Sequence, residues 1–143
     1  MDANCDVNTP DFLVALGHSM VFGRLLTSLM CVGFLWSGVS KSIHFQQAVE
    51  ENANYYHLPR PRTMAILQIA IVFIGSALVI SGWCIWLGAG ALAVFVLLAS
   101  YIGHAFWKKQ GRERDIQLFV FLNHFVIACA LLFVAWENVR GAI

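Results

Sequence analysis

The sequence predicts an all-α membrane protein: a bundle of four transmembrane helices with an amphipathic interfacial helix between the first and the second. Three features predict it, namely the composition, a long uncharged stretch and a periodic polar loop. The 143 residues are 59% hydrophobic and only 12% charged, whereas soluble domains average about 45–50% apolar and about 25% charged residues. So few charges leave too much apolar surface for water to cover, and we therefore expect lipid as the solvent.

The uncharged stretch defines the middle of the bundle. Residues 63–107 contain no aspartate, glutamate, lysine or arginine. Because a spanning helix takes about 20 residues, this stretch fits two helices joined by a tight turn, which the glycines and tryptophans of residues 82–90 favour. The whole chain, residues 1–143, is predicted to be one membrane domain with spans at about 21–41, 63–82, 87–107 and 116–136.

The loop between the first two spans has a helical period. Its apolar face carries Phe45, Ala48, Val49, Ala53 and Tyr56, and its polar face carries Gln46, Gln47, Glu50, Glu51 and Asn54. This pattern is typical of a helix that lies on a membrane or caps a bundle. Pro59 and Pro61 are expected to end it.

Basic residues are distributed unequally between the two sides of the predicted bundle. One side has Arg24 and Arg140, and the other has Lys41, Arg60, Arg62, Lys108, Lys109, Arg112 and Arg114. Short loops rich in lysine and arginine stay in the cytoplasm, so both termini are predicted to lie outside and the basic loops inside. The net charge of +1 gives no reason to expect a nucleic-acid partner.

Polar side chains within the spans concentrate near the predicted cytoplasmic side. They are Gln68, His104, Gln117, Asn123 and His124. At ~1.5 Å per residue, His124 would lie roughly 12 Å deep. Lipid offers no hydrogen bond to such groups, so we expect them to face the bundle.

Three interpretations fit these polar residues. The candidate cofactor-binding set is His104, His124, Gln68, Asn123, Trp107 and Arg24. Imidazoles and amides can hydrogen-bond a quinone head group between apolar walls of Trp107, Phe106 and Tyr101. Alternatively, His104 and His124 could bracket a haem iron, or the polar groups could only join the helices to each other. Helix joining is favoured over a ligand site, and a quinone is favoured over haem; the cofactor itself is not identified.

No catalytic or metal-binding motif is present in the sequence. The four cysteines, Cys5, Cys31, Cys84 and Cys129, lack metal-ligand spacing. Cys5 and Cys84 would share the outer side, where a disulfide is chemically feasible. Catalysis by this chain alone is therefore not expected.

Several motifs in a fixed order resemble the DoxX family, small four-helix proteins of the bacterial inner membrane. They are Arg24 followed by FLWSGVSK, then HLPRP, IGHAFW and IACALLFVA, and the similarity covers residues 24–135. Relatives include a subunit of a thiosulfate:quinone oxidoreductase and proteins of redox or thiol homeostasis. The resemblance implies a multi-pass protein of the bacterial inner membrane.

The chain departs from the family pattern at two places. Where the family often has a glutamate in the second helix this chain has Val72, and where it often has Lys-Asn in the fourth helix this chain has Asn123 and His124. The similar depth of Val72 and Asn123 predicts that the two positions meet, so that both charges were lost together.

Two functional hypotheses follow. The first is a redox-associated accessory or quinone-interacting subunit. The alternative is a non-catalytic scaffold that docks a partner protein through its basic cytoplasmic loops. The expected partners are the lipid bilayer and either another membrane or redox protein or a second copy of this chain.

Overall fold

The computed structural model describes residues 12, 15 and 19–141, and every regular element within residues 19–141 is helical. The α-helices are α1 (Met20–Ile43), α2 (Phe45–Glu50), α3 (Pro61–Ser81), α4 (Ile85–Gly103) and α5 (Gly111–Arg140). A π-helical turn, Glu51–Tyr55, continues α2, and a 3₁₀ turn, Phe106–Lys108, follows α4. Helices α1, α3, α4 and α5 are long and apolar enough to cross a membrane. The predicted all-α fold with four transmembrane helices is confirmed.

Local chemistry explains where the helices begin and end. The Ser19 hydroxyl caps α1 by accepting a hydrogen bond from the Phe22 N–H at 3.3 Å. Pro61 occupies the first turn of α3, where its fixed φ suits a helix. Gly82 ends α3 in the left-handed region at φ 77°, which glycine adopts without steric cost. Helix α4 ends at Gly103, earlier than the predicted 107, because the chain turns at His104.

The long helices pack in sequence order: α1 against α3, α3 against α4, and α4 against α5. The closest approach joins α3 and α4, since a Cβ on Gly88 would lie 2.6 Å from the Gly75 carbonyl oxygen. Leu92, Leu131 and Cys31 are buried between the helices. A buried free cysteine such as Cys31 packs as a small apolar group.

Contacts between helix ends define two ends of the bundle. At the turn end, which holds Arg24, Gly82 and Asn138, the Trp86 N–H donates to Asn138 Oδ1 at 3.3 Å, and the Arg24 guanidinium lies beside Gly82. At the opposite end, here called the α2 end, Tyr56 packs against Gly103. The four long helices therefore run alternately up and down.

The segment 45–56 has the two faces that its periodicity predicts. Phe45, Ala48, Val49, Ala53 and Tyr56 are buried or half-buried, while Gln46, Gln47, Glu50, Glu51 and Asn54 are exposed. Its inner face covers the α2 end and packs on α3 and α1. The structure divides it into α2 and the π-helical turn, and its location at a membrane interface stays a prediction.

Candidate functional site

A cavity of about 550 Å³ lies among the four long helices at the α2 end. Its volume falls within the roughly 300–1,000 Å³ of small-molecule sites. The apolar part of its wall comes from all four helices and includes Met30, Phe34, Val72, Phe95, Val96 and Ile127. Its polar side chains are Ser37, Lys41, Tyr56, Gln68, His104 and His124. Such a mostly apolar cavity with a few polar groups suits an amphipathic ligand.

The cavity opens sideways between α1 and α5. Both helices line it, yet they make at most slight contact with each other, because α1 packs on α3 and α5 packs on α4. Val126 lines the cavity although it is 65% exposed, which places it at the opening. On the α1 side, Gly33 has open space where a side chain would be. A ligand can therefore reach the cavity from the lipid.

A relay of two amides lies beside the cavity. Asn52 is fully buried and donates from Nδ2 to the Pro61 carbonyl oxygen at 3.3 Å. Gln68 donates from Nε2 to Asn52 Oδ1 at 3.1 Å. Gln68 Oε1 is buried and has no hydrogen-bond partner among residues 19–141. An acceptor left in this state costs roughly 1–3 kcal/mol, so a donor that reaches it gains that free energy.

The two predicted histidines lie together at the same cavity. Their rings stack with centroids 5.0 Å apart and an interplanar angle of 27°. His104 Nδ1 is 2.8 Å from Gln117 Oε1, a contact that fixes the His104 ring. His124 Nδ1 is buried without a partner in the described part of the chain. The pair therefore offers ring nitrogens to a ligand while part of its hydrogen-bonding capacity is unused.

The α2 end is closed by a short, strained segment. His57 (φ 50°) and Arg60 (φ 54°) adopt the left-handed region, which disfavours residues with a Cβ. Between them, Leu58 lines the cavity, and its N–H donates to the Asn52 carbonyl oxygen at 2.8 Å. Strain of this kind is found where surrounding contacts hold the backbone in place, often at functional sites.

Charged and phenolic groups complete this closing segment. Lys41 Nζ is 3.8 Å from Glu51 Oε2, with both side chains partly exposed, so the pair contributes little stability. Burial, together with the nearby Glu51 and Tyr55, raises the pKa of Tyr56. Tyr56 therefore keeps its hydroxyl proton at neutral pH and can donate it to a ligand in the cavity.

The structure brings together three of the six predicted cofactor-binding residues: Gln68, His104 and His124. Asn123 is exposed and is not part of the cavity wall. The expectation that every polar residue at this depth faces the bundle is therefore wrong for Asn123, because adjacent positions on α5 point to different sides. Arg24 lies beside Gly82 at the turn end, far along the bundle from the histidines.

Trp107 also lies outside the cavity wall. It packs against Tyr101 at 5.1 Å and against Phe106 at 5.1 Å between ring centroids, and Phe106 packs on Phe121 at 5.4 Å. These aromatics join the end of α4 to α5. Trp107, Phe106 and Tyr101 do not line this cavity, whose apolar wall is formed by aliphatic residues and phenylalanines within the bundle, so their role in a head-group site stays a prediction.

Three residues at the cavity or beside it were missed as site residues: Lys41 and Tyr56, which line it, and Asn52, which bonds to Gln68. Lys41 was interpreted as an interfacial cation, and Tyr56 was assigned only to the apolar face of the loop helix. Asn52 carried a usable signal, because it lies four residues after Ala48 and so falls on the same buried face. A polar residue on an apolar face is informative because burial requires it to find a partner.

The geometry does not fit a haem held between the histidines. Two axial imidazoles must each point a nitrogen at an iron between them, whereas these rings stack face to face. Within residues 19–141, no three of the histidine, cysteine, aspartate and glutamate side chains form a group able to hold a metal ion. Cys5 lies outside the described residues, so its pairing with Cys84 stays a prediction.

Comparison with known proteins supplies the family. The family model described as DoxX matches residues 19–105, which is more than half of the chain. The matched segment runs from the start of α1 past the end of α4, so it contains Asn52, Gln68 and His104 but not His124. Searches of the curated proteins and of the solved structures each found no match. Together, the family match and the four apolar helices show that the chain is a multi-pass membrane protein belonging to the DoxX family.

Proposed function

We propose that the protein is an accessory membrane subunit that binds a lipid of the quinone class. The ring occupies the cavity at the α2 end, and the apolar tail leaves between α1 and α5. One observation carries this proposal: a largely apolar cavity is lined by Gln68 and His124, each with a buried polar atom that lacks a partner. A purely structural set of polar residues would satisfy those atoms within the protein.

The shape of the site favours a membrane-soluble ligand over a water-soluble one. Its opening faces sideways between α1 and α5, where Val126 and Ile127 are exposed. The segment 56–60 and α2 cover the end of the bundle that water would use. A ligand with a polar ring and a long apolar tail fits this arrangement because its tail can remain in the bilayer.

The chain contributes binding and orientation to the proposed activity. The cavity supplies apolar walls, hydrogen-bonding groups and partial exclusion of water, which are what a protein contributes to the chemistry of a bound cofactor. Electrons would therefore pass between the bound ring and a partner redox protein, for which this chain is an accessory subunit.

The test is to measure the quinone that co-purifies with the protein in mild detergent. Gly33→Phe places a ring at the lateral opening, where a Cβ meets no atom within 4 Å, and we expect it to lower bound quinone at least about tenfold. Gly23→Phe is the matched control, because Gly23 is on the same helix with equally open space but does not line the cavity.

His124→Leu probes the polar part of the same site. It should abolish quinone co-purification while leaving the helical content measured by circular dichroism unchanged. If His124 only joins helices, the substitution should instead lower the unfolding free energy by about 1–2 kcal/mol without changing bound quinone. Wild-type protein that carries no quinone after gentle extraction would overturn the proposal.

The orientation is part of the proposal, and it places the α2 end in the cytoplasm of a bacterial inner membrane. It is supported by the seven basic residues predicted for that side against two for the other. Cys84, at the turn end, should react with a membrane-impermeant maleimide in intact cells. A Gln110→Cys variant should react only after the membrane is opened, and the opposite labelling would reverse the orientation.

A scaffold role is favoured by one further observation. The exposed outer face of α2 lies at the same end of the bundle as the exposed side chains of Lys108, Arg112 and Arg114. A partner that docks there should be lost from the purified complex on combined Arg112→Glu and Arg114→Glu substitution. Bound quinone should be unchanged in that variant if docking and ligand binding use separate surfaces.

A further inference from the structure

The direction of each hydrogen bond in the amide relay is fixed by a backbone group. The Pro61 carbonyl oxygen can only accept, so Asn52 must turn Nδ2 toward it. Asn52 Oδ1 then faces Gln68 and must receive the Nε2 donor. The atom of Gln68 that remains without a partner is therefore its oxygen, a hydrogen-bond acceptor.

His104 supplies a second acceptor by the same kind of argument. Its Nδ1 contacts Gln117 Oε1 at 2.8 Å. An amide oxygen only accepts, so His104 Nδ1 carries the proton. In the neutral ring, Nε2 is then unprotonated and accepts. Two residues of the cavity wall thus present acceptors, and of these Gln68 Oε1 is the one that is buried without a partner among the described residues.

We infer that the site selects the hydroxyl-bearing, reduced form of its ring ligand, a quinol, over the carbonyl-bearing quinone; this rests on the proposed function. A quinone carbonyl oxygen cannot donate to Gln68 Oε1 or His104 Nε2, whereas a quinol hydroxyl can. The donors at the cavity, which include Lys41 Nζ, the hydroxyls of Ser37 and Tyr56, the ring N–H of His124 and the second hydrogen on Gln68 Nε2, do not discriminate. Both forms offer them an oxygen that accepts.

The consequence is an asymmetric binding step. A site that holds the quinol more tightly than the quinone releases the ring after its oxidation and collects it after its reduction. The specificity would depend on Asn52, which does not contact the ring but determines which face of the Gln68 amide is free. Asn52 is in this sense a positioning residue.

The experiment compares three ligands with the purified full-length protein in detergent under argon, by isothermal titration calorimetry. The probes are a benzoquinol with a decyl chain, its dimethyl ether and the corresponding quinone. We expect the quinol to bind at least about tenfold more tightly than the other two, the factor that corresponds to about 1.4 kcal/mol.

Two variants and one control identify the cause of that preference. Gln68→Met removes the amide at similar length and should reduce the quinol preference at least about threefold, leaving only the part that His104 Nε2 contributes. Asn52→Ala lets the Gln68 amide turn and should reduce the preference while all three ligands still bind. Gln47→Met changes an exposed glutamine away from the cavity and should leave the preference intact.

The outcomes separate the inference from the proposed function. Equal binding of the three probes to the wild type, or a preference for the quinone, would overturn the inference and leave the ring-binding site standing. A full quinol preference that persists in Gln68→Met would also overturn it. Absence of binding by all three probes would remove the proposed function as well.

Discussion

The turn end and the α2 end of this bundle are built in opposite ways. Toward the turn end, Gly75 and Gly88 let α3 and α4 approach so closely that neither position has room for a Cβ. At the α2 end the same helices enclose a cavity instead. Membrane helices gain packing energy from close contact between small residues. The α2 end lacks such contact around its cavity, and it is therefore the candidate for function.

The two ends also differ in whether the polar groups described below have hydrogen-bond partners. At the turn end, Asn138 accepts a hydrogen bond from the Trp86 backbone, which joins α4 to α5. At the α2 end, Gln68 Oε1 and His124 Nδ1 lack partners among the described residues, and two residues hold left-handed backbone conformations, each costing of order 1–3 kcal/mol. Ser76 Oγ, next to the packing contact at Gly75, and Ser100 Oγ are also buried without a partner in that part of the chain, so what distinguishes the α2 end is that its unpartnered groups line a cavity where a ligand can reach them.

The largest effect should come from a charge placed inside the cavity wall. Val72 is 3% exposed and packs beside Gly38, so Val72→Glu should lower the unfolding free energy by about 2.5–3.5 kcal/mol. Val72 lines the cavity, but Asn123 does not, so a lysine at position 123 should not reach a glutamate at position 72. Chemical denaturation in detergent should therefore show that Asn123→Lys adds its own loss and does not rescue Val72→Glu.

This expectation reverses the one drawn from sequence, in which positions 72 and 123 meet. Similar depth places two residues at one level of a bundle but does not fix the side of the helix to which each points. The double variant should equal the sum of the single variants within about 0.3–0.5 kcal/mol. A recovery of more than about 1 kcal/mol would restore the original pairing.

The next effect concerns the close packing at the turn end. In Gly88→Ala the new Cβ would lie 2.6 Å from the Gly75 carbonyl oxygen and 2.9 Å from the Leu78 Cβ, so α3 and α4 must separate. We expect the unfolding free energy to fall by about 1–3 kcal/mol, measured by thermal or chemical denaturation. Gly90→Ala is the control, since nothing lies within 4 Å of that position, and it should not destabilise.

Equal stability of these two alanine variants would falsify the assignment of Gly75 and Gly88 to a packing contact. A milder outcome would also be informative. If Gly88→Ala destabilises the protein but leaves ligand binding unchanged, then the packed region and the cavity are energetically separate, as the comparison of the two ends implies.

The sequence predicted the helices well because the signal for a membrane span is local. Residues 63–107 lack charge, and any chain with that property needs lipid-compatible helices whatever its neighbours are. The buried face of the loop helix was likewise readable, because Phe45, Ala48 and Tyr56 recur at helical spacing. The site was only partly readable: His104, His124 and Gln68 line the cavity, while Asn123, Trp107 and Arg24 do not, and a ligand-binding role for any of them stays a prediction.

Asn123 shows why the composition of the cavity wall could not be read from the sequence. Polarity and depth can be counted along a chain, but the rotation of a helix about its axis depends on its neighbours. Asn123 and His124 are adjacent in sequence, yet only His124 lines the cavity. Arg24 lies in the first turns of α1, beside Gly82 at the turn end and away from the cavity.

A smaller effect is expected from a substitution at Arg24, which tests directly whether the turn end influences ligand binding at the α2 end. Its guanidinium lies 3.6–3.9 Å from the position a Cβ on Gly82 would take, beside the α3–α4 turn. Arg24→Gln should leave the dissociation constant of the ring ligand within about twofold of the wild-type value. His124→Leu, measured alongside by calorimetry, should abolish binding, and a comparable loss in Arg24→Gln would connect the turn end to the site.

The smallest effect is a pH dependence at the closed α2 end. Burial first, and then Glu51 and Tyr55, raise the pKa of Tyr56 above its ordinary value of 10.0. The unfolded chain loses this proton before the folded one does, so the contribution of Tyr56 is present below pH 10 and is lost as the pH rises through the folded pKa. Tyr56→Phe should therefore reduce the fall in unfolding free energy at alkaline pH, and phenolate absorbance should show one late-ionising tyrosine fewer.

Tyr55→Phe is the control, since Tyr55 is an exposed neighbour with its ring 5.0 Å away, and it should leave that late component in place. If the late component instead disappears with Tyr55 and survives in Tyr56→Phe, then Tyr56 is not enclosed against Gly103 and the segment that closes the cavity is open.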